Sequence, residues 1–134
     1  MKKTTKAVGE LLGIKKVIPQ IRVYDSGGKR DTNVGKLDFE GFLSPRVLIA
    51  FAEYMNKNRT MADGSIRSSD NWQKGFGDKH YDVCMQSMFR HFMDVWTEHR
   101  EGFTEEGQMT ALMGLLFNVQ AYAHQLLKDI EETV

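Results

Sequence analysis

The segment over residues 109–127 constrains the fold more than any other part of the chain. Wound as a helix, it carries apolar side chains on nearly every side: Leu112, Met113, Leu115, Leu116, Phe117, Val119, Tyr122, Leu126 and Leu127. A helix that is apolar all round has to be covered all round. Two partner helices from the same chain leave part of that surface in water. The sequence therefore predicts a small helical bundle that a second copy of the chain completes.

Two further helices are predicted before this segment. Ser44 is a preferred N-cap and Pro45 suits a first helical position, so the first helix begins there and fades near residues 56–59. The second runs from about His80 to His99, where apolar residues recur at helical spacing. Together with the apolar segment, these patterns predict three main helices.

The fold class predicted from these patterns is all-α. Gly102 ends the second helix, and Thr104 is expected to open the third, because a threonine side chain can cap free amide groups. The helices occupy residues 44–134, and residues 1–43 are expected to form an irregular N-terminal arm. Residues 17–24 of that arm can hold a short edge strand. The length of 134 residues suits one domain overall.

Charge and cysteine content exclude several classes of partner. The 18 basic residues balance 18 acidic ones, so no global field favours a nucleic acid polymer. The single Cys84 excludes an internal disulfide and a cysteine-based zinc site, and we expect it to be a small core residue of a cytoplasmic protein. No apolar run is long enough for a signal peptide or a membrane span, so no membrane partner is expected.

A loop of about twenty residues is predicted over residues 60–79. Loops of this length inside a compact domain are usually either functional or disordered. This one carries Asn71, Trp72 and Lys74. Because a tryptophan is costly to leave in water, Trp72 is expected to dock either on the helical body or on a ligand.

A polar stripe on the second helix is the candidate cation site. Its members follow at steps of four, three and four residues, which places them on one helical face: Ser87, His91, Asp94 and Glu98. Mg²⁺ prefers oxygen ligands and keeps several waters, so a few carboxylates suffice when phosphates supply the rest. We expect Glu53 of the first helix to join this site. A solvated face with ordinary surface charges is the alternative.

Asn118 is the most informative polar residue of the third helix, because its neighbours are apolar. A buried amide has to find partners or costs about 1–3 kcal/mol. The small residues Ala111 and Gly114 allow a backbone or a ligand to approach closely. Asn118 therefore bonds either a protein carbonyl or symmetry mate, or else a nucleobase or phosphate.

Seven short motifs follow one another between residues 25 and 127: Asp25-Ser26-Gly27, Arg30-Asp31, Gly35-Lys36-Leu37-Asp38-Phe39, Ser44-Pro45, Asp70-Asn71-Trp72-Gln73-Lys74-Gly75, Arg90-His91 and Phe117-Asn118. In this order and spacing the chain resembles the phage and prophage family of dATP/dGTP diphosphohydrolases, helical relatives of the MazG-like nucleotide pyrophosphohydrolases. The resemblance implies an oligomeric all-α domain in the host cytoplasm. It also implies hydrolysis of a purine deoxynucleoside triphosphate, with Mg²⁺ or Mn²⁺, to the monophosphate and pyrophosphate.

The resemblance also suggests roles for individual residues. The carboxylates expected to hold the metal or orient water are Glu53, Asp94 and Glu98. The residues expected to bind substrate are Lys36, Lys74 and Arg90 at the phosphates, Trp72 and Asn118 near the base, and Asn71 and His91 elsewhere in the site.

The chain departs from the MazG-like pattern in its acidic residues. Those enzymes resemble one another in a Glu-x-x-Glu on one helix and a Glu-x-x-Asp on the next. Here the first helix has Glu53-Tyr54-Met55-Asn56, and the third has no acid between Glu106 and Asp129. The alternative hypothesis is therefore a non-catalytic phage protein that sequesters a host-defence signalling nucleotide or dinucleotide. A structural or protein-interaction role is the third possibility.

Overall fold

The computed structural model describes residues 10–11, 13 and 20–133. The chain divides into two compact units, one ending at Ser44 and the other beginning at Pro45. Residues 17–19 of the predicted strand lie outside the described residues. The units are described separately below.

The first unit contains more regular structure than the irregular arm expected there. Strand β1 (Ile21–Val23) pairs antiparallel with β2 (Lys29–Asp31). Gly27, with φ at +85°, allows the turn between them, because the left-handed region favours glycine. Helix α1 (Phe39–Phe42) is a single turn, and the Asp38 carboxylate caps it by accepting the Gly41 amide at 2.9 Å.

The second unit consists of three main helices, which confirms the predicted all-α class. They are α2 (Pro45–Lys57), α3 (His80–Glu101) and α4 (Gln108–Thr133). Helix α4 packs against both α3 and α2. Within the described residues, none of the helices is long and apolar enough to cross a membrane.

The boundary between α3 and α4 corrects one prediction. Helix α3 ends where expected, because Gly102 adopts a φ of +84° and its amide donates to the Glu98 carbonyl at 2.8 Å. Helix α4 begins at Gln108 and not at Thr104. Gly107 also has a φ of +84°, which no helical residue adopts, and its amide donates to Thr104 Oγ1 at 3.1 Å. Thr104 therefore stabilises the turn before the helix.

A buried histidine joins α3 to α4 and to the segment before α3. His80 Nδ1 accepts the Phe76 amide at 3.1 Å, and Nε2 donates to the Ala121 carbonyl at 2.9 Å. These bonds define a neutral imidazole with its proton on Nε2. Cys84, one turn later, is fully buried and burial raises the pKa of its thiol, which confirms its prediction as a core residue.

A second side-chain bond between α3 and α4 joins the Tyr81 hydroxyl to the Asp129 carboxylate. This bond raises the pKa of Tyr81 to about 12 and lowers the pKa of Asp129. Gln125 also donates to Asp129, at 2.9 Å. The bond requires a neutral phenol and an ionised carboxylate, so it is lost at both extremes of pH.

We expect the stabilisation from this bond to have two pH limits. It should disappear as pH falls below the ordinary aspartate pKa of about 3.9, and as pH rises from the ordinary tyrosine pKa of about 10 towards 12. The difference in urea midpoint between the wild type and Tyr81→Phe should be constant from about pH 5 to 9 and shrink on either side. The exposed Tyr24→Phe is the control. A difference that grows towards either extreme would contradict the assignment.

Candidate functional site

The segment between α2 and α3 is ordered around a hairpin-like loop (residues 59–67). The Arg67 amide donates to the Arg59 carbonyl at 3.1 Å, and Arg59 Nε donates to the Arg67 carbonyl at 2.9 Å. Arg67 Nη2 also donates to the Asn58 carbonyl at 2.8 Å. Thr60 and Ile66 form an isolated bridge inside the loop. These bonds pair the two arginines at the base of the loop.

Two short 3₁₀ turns, Asn71–Lys74 and Gly77–Lys79, connect this loop to α3. The first packs against α4. There the half-buried Trp72 meets the edge of His124, with ring centroids 4.9 Å apart and an interplanar angle of 66°. Trp72 therefore docks on the helical body, which was one of the two expected arrangements.

Trp72 also lines a cavity of about 540 Å³. Three further aromatic residues, Tyr54, Phe76 and Phe117, line the same cavity, as do Arg59 and Arg67. Asparagine amides and serine hydroxyls complete the polar part of the lining, and among the described residues no carboxylate contributes to it. The cavity therefore offers aromatic surface and positive charge together.

Sequence reasoning placed Asn71 and Trp72 in the site, and both line this cavity. It missed Arg59 and Arg67, which lie far from every quoted motif except the Trp72 segment. The only sequence signal for them is the Ala62-Asp63-Gly64 turn between them, since a tight turn brings its flanking residues together.

A second cavity, of about 300 Å³, adjoins the first, because Tyr54 and Asn58 line both. Its wall carries Glu53 of α2, as well as Glu106 from the turn before α4. Burial, and then the charge of Glu106, raise the pKa of the Tyr54 hydroxyl. Lys57 lines this cavity as well, so two carboxylates and one ammonium group leave it a net negative charge. We call it the acidic cavity, and it borders the aromatic and basic one.

Glu106 belongs to a small charged cluster that the sequence did not predict. His91 Nδ1 lies 3.3 Å from Glu106 Oε1. Burial first, and then a hydrogen bond with Asp94, raise the pKa of the Glu106 carboxyl group, while His91 opposes the shift. The cluster therefore unites two members of the predicted polar stripe with an acid from another segment.

The polar stripe as a whole is half-buried and does not form the solvated face considered as its alternative. Besides the His91 and Asp94 contacts with Glu106, the Glu98 carboxylate accepts the Thr104 hydroxyl at 2.9 Å. The stripe thus faces the turn before α4.

The three predicted cation ligands lie in three different places. Glu53 lines the acidic cavity, Asp94 lies beside Glu106, and Glu98 accepts a hydrogen bond from Thr104. Across the part of the chain that the structure describes, no group of three or more His, Cys, Asp or Glu side chains is arranged to hold a metal ion.

Three of the remaining predicted site residues, Asn118, Lys74 and Arg90, do not line either cavity. Asn118 is buried, and its Nδ2 donates to the Gly114 carbonyl of its own helix at 2.8 Å. Lys74 and Arg90 are exposed, and the described residues contain no ion pair between Arg90 and Asp94. Lys36 belongs to the N-terminal unit.

Gly114 allows the His91 ring to reach Glu106. A Cβ atom at Gly114 would lie only 2.5 Å from His91 Cε1. We expect Gly114→Ala to lower the free energy of unfolding by about 1–2 kcal/mol, because the ring has to move away from Glu106. In a His91→Ala background the same change should instead stabilise by about 0.5–1 kcal/mol, since alanine is the better helix former.

Urea unfolding of the wild type, Gly114→Ala, His91→Ala and the double variant measures whether the effect of Gly114→Ala on the free energy of unfolding changes sign. The same sign in both backgrounds would show that the close contact between Gly114 and His91 has no energetic consequence.

Comparisons of the chain with protein-family models, curated proteins and solved structures returned no match.

Proposed function

We propose that this protein binds a purine deoxynucleotide in the cavity lined by Trp72, Phe76, Phe117, Arg59 and Arg67. The observation that carries the proposal is the combination of four aromatic residues with two arginines around one cavity of about 540 Å³. That volume lies in the usual range for small-molecule sites, about 300–1,000 Å³. The resemblance to the dATP/dGTP diphosphohydrolases supports the choice of a purine deoxynucleotide.

Each part of the lining suits one part of such a ligand. Aromatic side chains stack on bases, and each stacked base contributes about 1–3 kcal/mol. Guanidinium groups bind phosphate through paired, charge-assisted hydrogen bonds. Arg67 uses Nη2 for the Asn58 carbonyl, which leaves Nε and Nη1 as donors for a phosphate. The Asn71 amide can donate to and accept from a base edge.

Hydrolysis of the nucleotide is a second proposal, favoured by Glu53 and Glu106 on the wall of the adjoining cavity. A nucleotide held by the arginines would direct its phosphates towards these acids across the shared residues Tyr54 and Asn58. Glu106 is the carboxylate that would accept a proton from the attacking water. The water oxygen would bond the α-phosphorus as the bond to the bridging oxygen breaks, and pyrophosphate would leave.

Such hydrolysis needs a divalent cation, Mg²⁺ or Mn²⁺, to neutralise the phosphates. The residues that would hold it are Glu53 and Glu106, with Asp94 bonded to Glu106 and Glu98 further along α3. One or two carboxylates are enough when the phosphates supply other ligands. The proposal includes the host cytoplasm as location, which the single, fully buried Cys84 supports.

Fluorescence titration tests binding directly. Because Trp72 and Trp96 are the two tryptophans, Trp96→Phe leaves Trp72 as the reporter. We expect saturable quenching by dATP or dGTP in the presence of a chelator, and weaker effects of dCTP and dTTP. A cyclic dinucleotide belongs in the same panel. No response to any nucleotide, confirmed by calorimetry, would refute the proposal.

Pyrophosphate release, measured with each metal and with chelator, separates enzyme from binder. Metal-dependent release that falls in Glu53→Gln and Glu106→Gln, with nucleotide affinity preserved, supports hydrolysis at the acidic cavity. Binding without release at any metal concentration supports the sequestering protein. Release that persists in both variants would show that these two acids are not the catalytic groups.

A further inference from the structure

The position of Phe76 on the wall of the aromatic and basic cavity is not fixed by its local backbone. Phe76 is 40% exposed, so protein atoms cover only part of its surface. It lies between the two 3₁₀ turns and is flanked by Gly75 and Gly77, whose φ angles are +76° and +80°. Glycine has the widest conformational freedom of any residue. The direction of the Phe76 ring therefore depends on contacts with the helical body.

His80, the first residue of α3, holds Phe76 by two contacts. Its Nδ1 accepts the Phe76 amide at 3.1 Å, and its ring stacks on the Phe76 ring with centroids 5.2 Å apart and an interplanar angle of 18°. His80 is itself held in place, because it is buried and its Nε2 donates to the Ala121 carbonyl of α4 at 2.9 Å. One buried imidazole thus connects the helical body to an aromatic wall of the cavity.

The hydrogen bond from the Phe76 amide requires a neutral imidazole. Both ring nitrogens of an imidazolium are donors, so Nδ1 can accept the amide only while it carries no proton. Histidine is the side chain whose ordinary change of charge falls between pH 5 and 8. Protonation of His80 would therefore break its bond to Phe76 and leave the bond to the Ala121 carbonyl in place.

The ionisable groups near His80 come from each element that packs around it: Tyr81 and Cys84 on α3, Asp129 on α4, and the exposed Asp78 and Lys79 in the second 3₁₀ turn. The bond to Asp129 raises the pKa of Tyr81 to about 12, and burial raises the pKa of Cys84, so both are neutral below pH 8. The bonds from Tyr81 and Gln125, and then the charge of His80, lower the pKa of Asp129. An imidazolium at His80 would therefore have an ionised carboxylate nearby.

We infer that His80 is a positioning residue of the nucleotide site, that it acts by holding Phe76 on the cavity wall, and that its protonation weakens nucleotide binding. The inference rests on the proposed function, because the position of Phe76 affects affinity only if its ring contacts the bound base. It adds to the site a residue that touches no part of the nucleotide.

A double-mutant cycle on dGTP affinity, measured by calorimetry at pH 8, separates this role from a general effect on stability. We expect Phe76→Ala to weaken binding about tenfold, because one stacking ring is lost. His80→Phe should weaken it about fivefold, because the Phe76 amide loses its acceptor. The double variant should bind within about twofold of Phe76→Ala, since His80 acts through Phe76. Losses that multiply to about fiftyfold would overturn the inference.

The pH dependence of the affinity is a second measurement, which a purely structural role of His80 would not change. The ratio of wild-type to His80→Phe affinity cancels the titration of the nucleotide phosphates, because both proteins bind the same ligand. We expect a ratio of about five at pH 8 that falls towards one as pH decreases to 5 and His80 takes up a proton. A ratio that stays constant or rises over this range would contradict the inference.

Rescue by a conservative variant tests the same point. His80→Gln offers an acceptor and a donor but does not titrate, so it should bind dGTP more tightly than His80→Phe at pH 8 and at pH 5. His99→Ala removes an exposed histidine of α3 and should bind like the wild type at every pH. His124→Gln, beside Trp72, should keep the fall in affinity towards pH 5. Loss of that fall would assign it to His124 and overturn the inference.

The results distinguish this inference from the proposed function. If the wild type binds no nucleotide between pH 5 and 8, the proposed function fails and the inference fails with it. If the wild type binds and the cycle is additive, only the inference fails. Hydrogen exchange of the Phe76 amide, measured by NMR without ligand, tests the contact itself. We expect protection at pH 8 in the wild type and in His80→Gln, and its loss in His80→Phe. Equal exchange in all three proteins would overturn the inference, and circular dichroism confirms that each variant retains its helical content.

Discussion

Replacing Arg67 by alanine is expected to weaken dGTP binding about 10- to 100-fold without unfolding the protein. A hydrogen bond to a charged group contributes about 1.5–3 kcal/mol, and every 1.4 kcal/mol is a factor of ten in affinity. Arg67 is exposed, so its removal leaves no buried charge without a partner. The titration described for the Trp96→Phe protein measures the loss of affinity.

Two controls make this result specific to the cavity. Arg67→Lys retains the charge but not the paired donors, so we expect an intermediate affinity. Arg46→Ala removes an exposed arginine of α2 that does not line the cavity, and it should bind like the wild type. If Arg46→Ala and Arg67→Ala lose affinity equally, the effect is one of net charge and the proposed phosphate site is wrong.

His80→Ala should cause the largest loss of stability, about 3 kcal/mol in the free energy of unfolding. The substitution removes the acceptor of the Phe76 amide and the donor to the Ala121 carbonyl, and it leaves a cavity where a ring was 5% exposed. An unsatisfied buried polar group costs about 1–3 kcal/mol, and truncation of a buried side chain adds to that cost. Urea unfolding at pH 7 measures the loss.

His80→Phe distinguishes the two contributions, because phenylalanine keeps a ring and lacks both nitrogens. We expect it to recover the packing but not the hydrogen bonds, with a loss of about 1–2 kcal/mol. His99→Ala is the matched control, since His99 is exposed on the same helix and should change stability by less than about 0.5 kcal/mol. A His80→Phe protein as stable as the wild type would show that the hydrogen bonds contribute nothing.

The binding proposal can hold even if the hydrolysis proposal fails. Nucleotide binding depends on the Arg67 and Trp72 cavity, whereas hydrolysis depends on Glu53 and Glu106 in the adjoining one. A protein that binds the nucleotide without hydrolysing it would still lose affinity when Arg67 is replaced. It would release no pyrophosphate for the Glu53 and Glu106 substitutions to reduce.

Much of the helical fold could be predicted from the sequence. The start of α2 at Pro45 and the end of α3 at Glu101, before Gly102, follow from local signals that act within one turn of a helix. The start of α4 was predicted four residues too early, because Thr104 resembles a helix cap. The left-handed conformation of Gly107 excludes a helix there, and a sequence does not reveal which glycine will adopt it.

The candidate site was less predictable, because its residues come from separate segments. Asn71 and Trp72 were identified by their unusual composition within a long loop. Arg59 and Arg67 come together through backbone bonds across a turn, and Glu106 meets His91 and Asp94 through the packing of a turn against α3. These contacts depend on how segments distant in the sequence pack together. Helical spacing and cap preference describe only neighbouring residues and do not predict them.

The sequence by itself determined approximately where the three main helices lie, because caps and periodicity act over a few residues. It did not determine which side chains face inward, since Phe89, Phe92 and Trp96 of the predicted apolar face of α3 are exposed. Only the tertiary structure decided that a buried Asn118 bonds its own helix and that two arginines share a cavity with Trp72. Those outcomes depend on the direction in which one helix crosses another. That direction is set by the packing of the whole unit, and no local pattern encodes it.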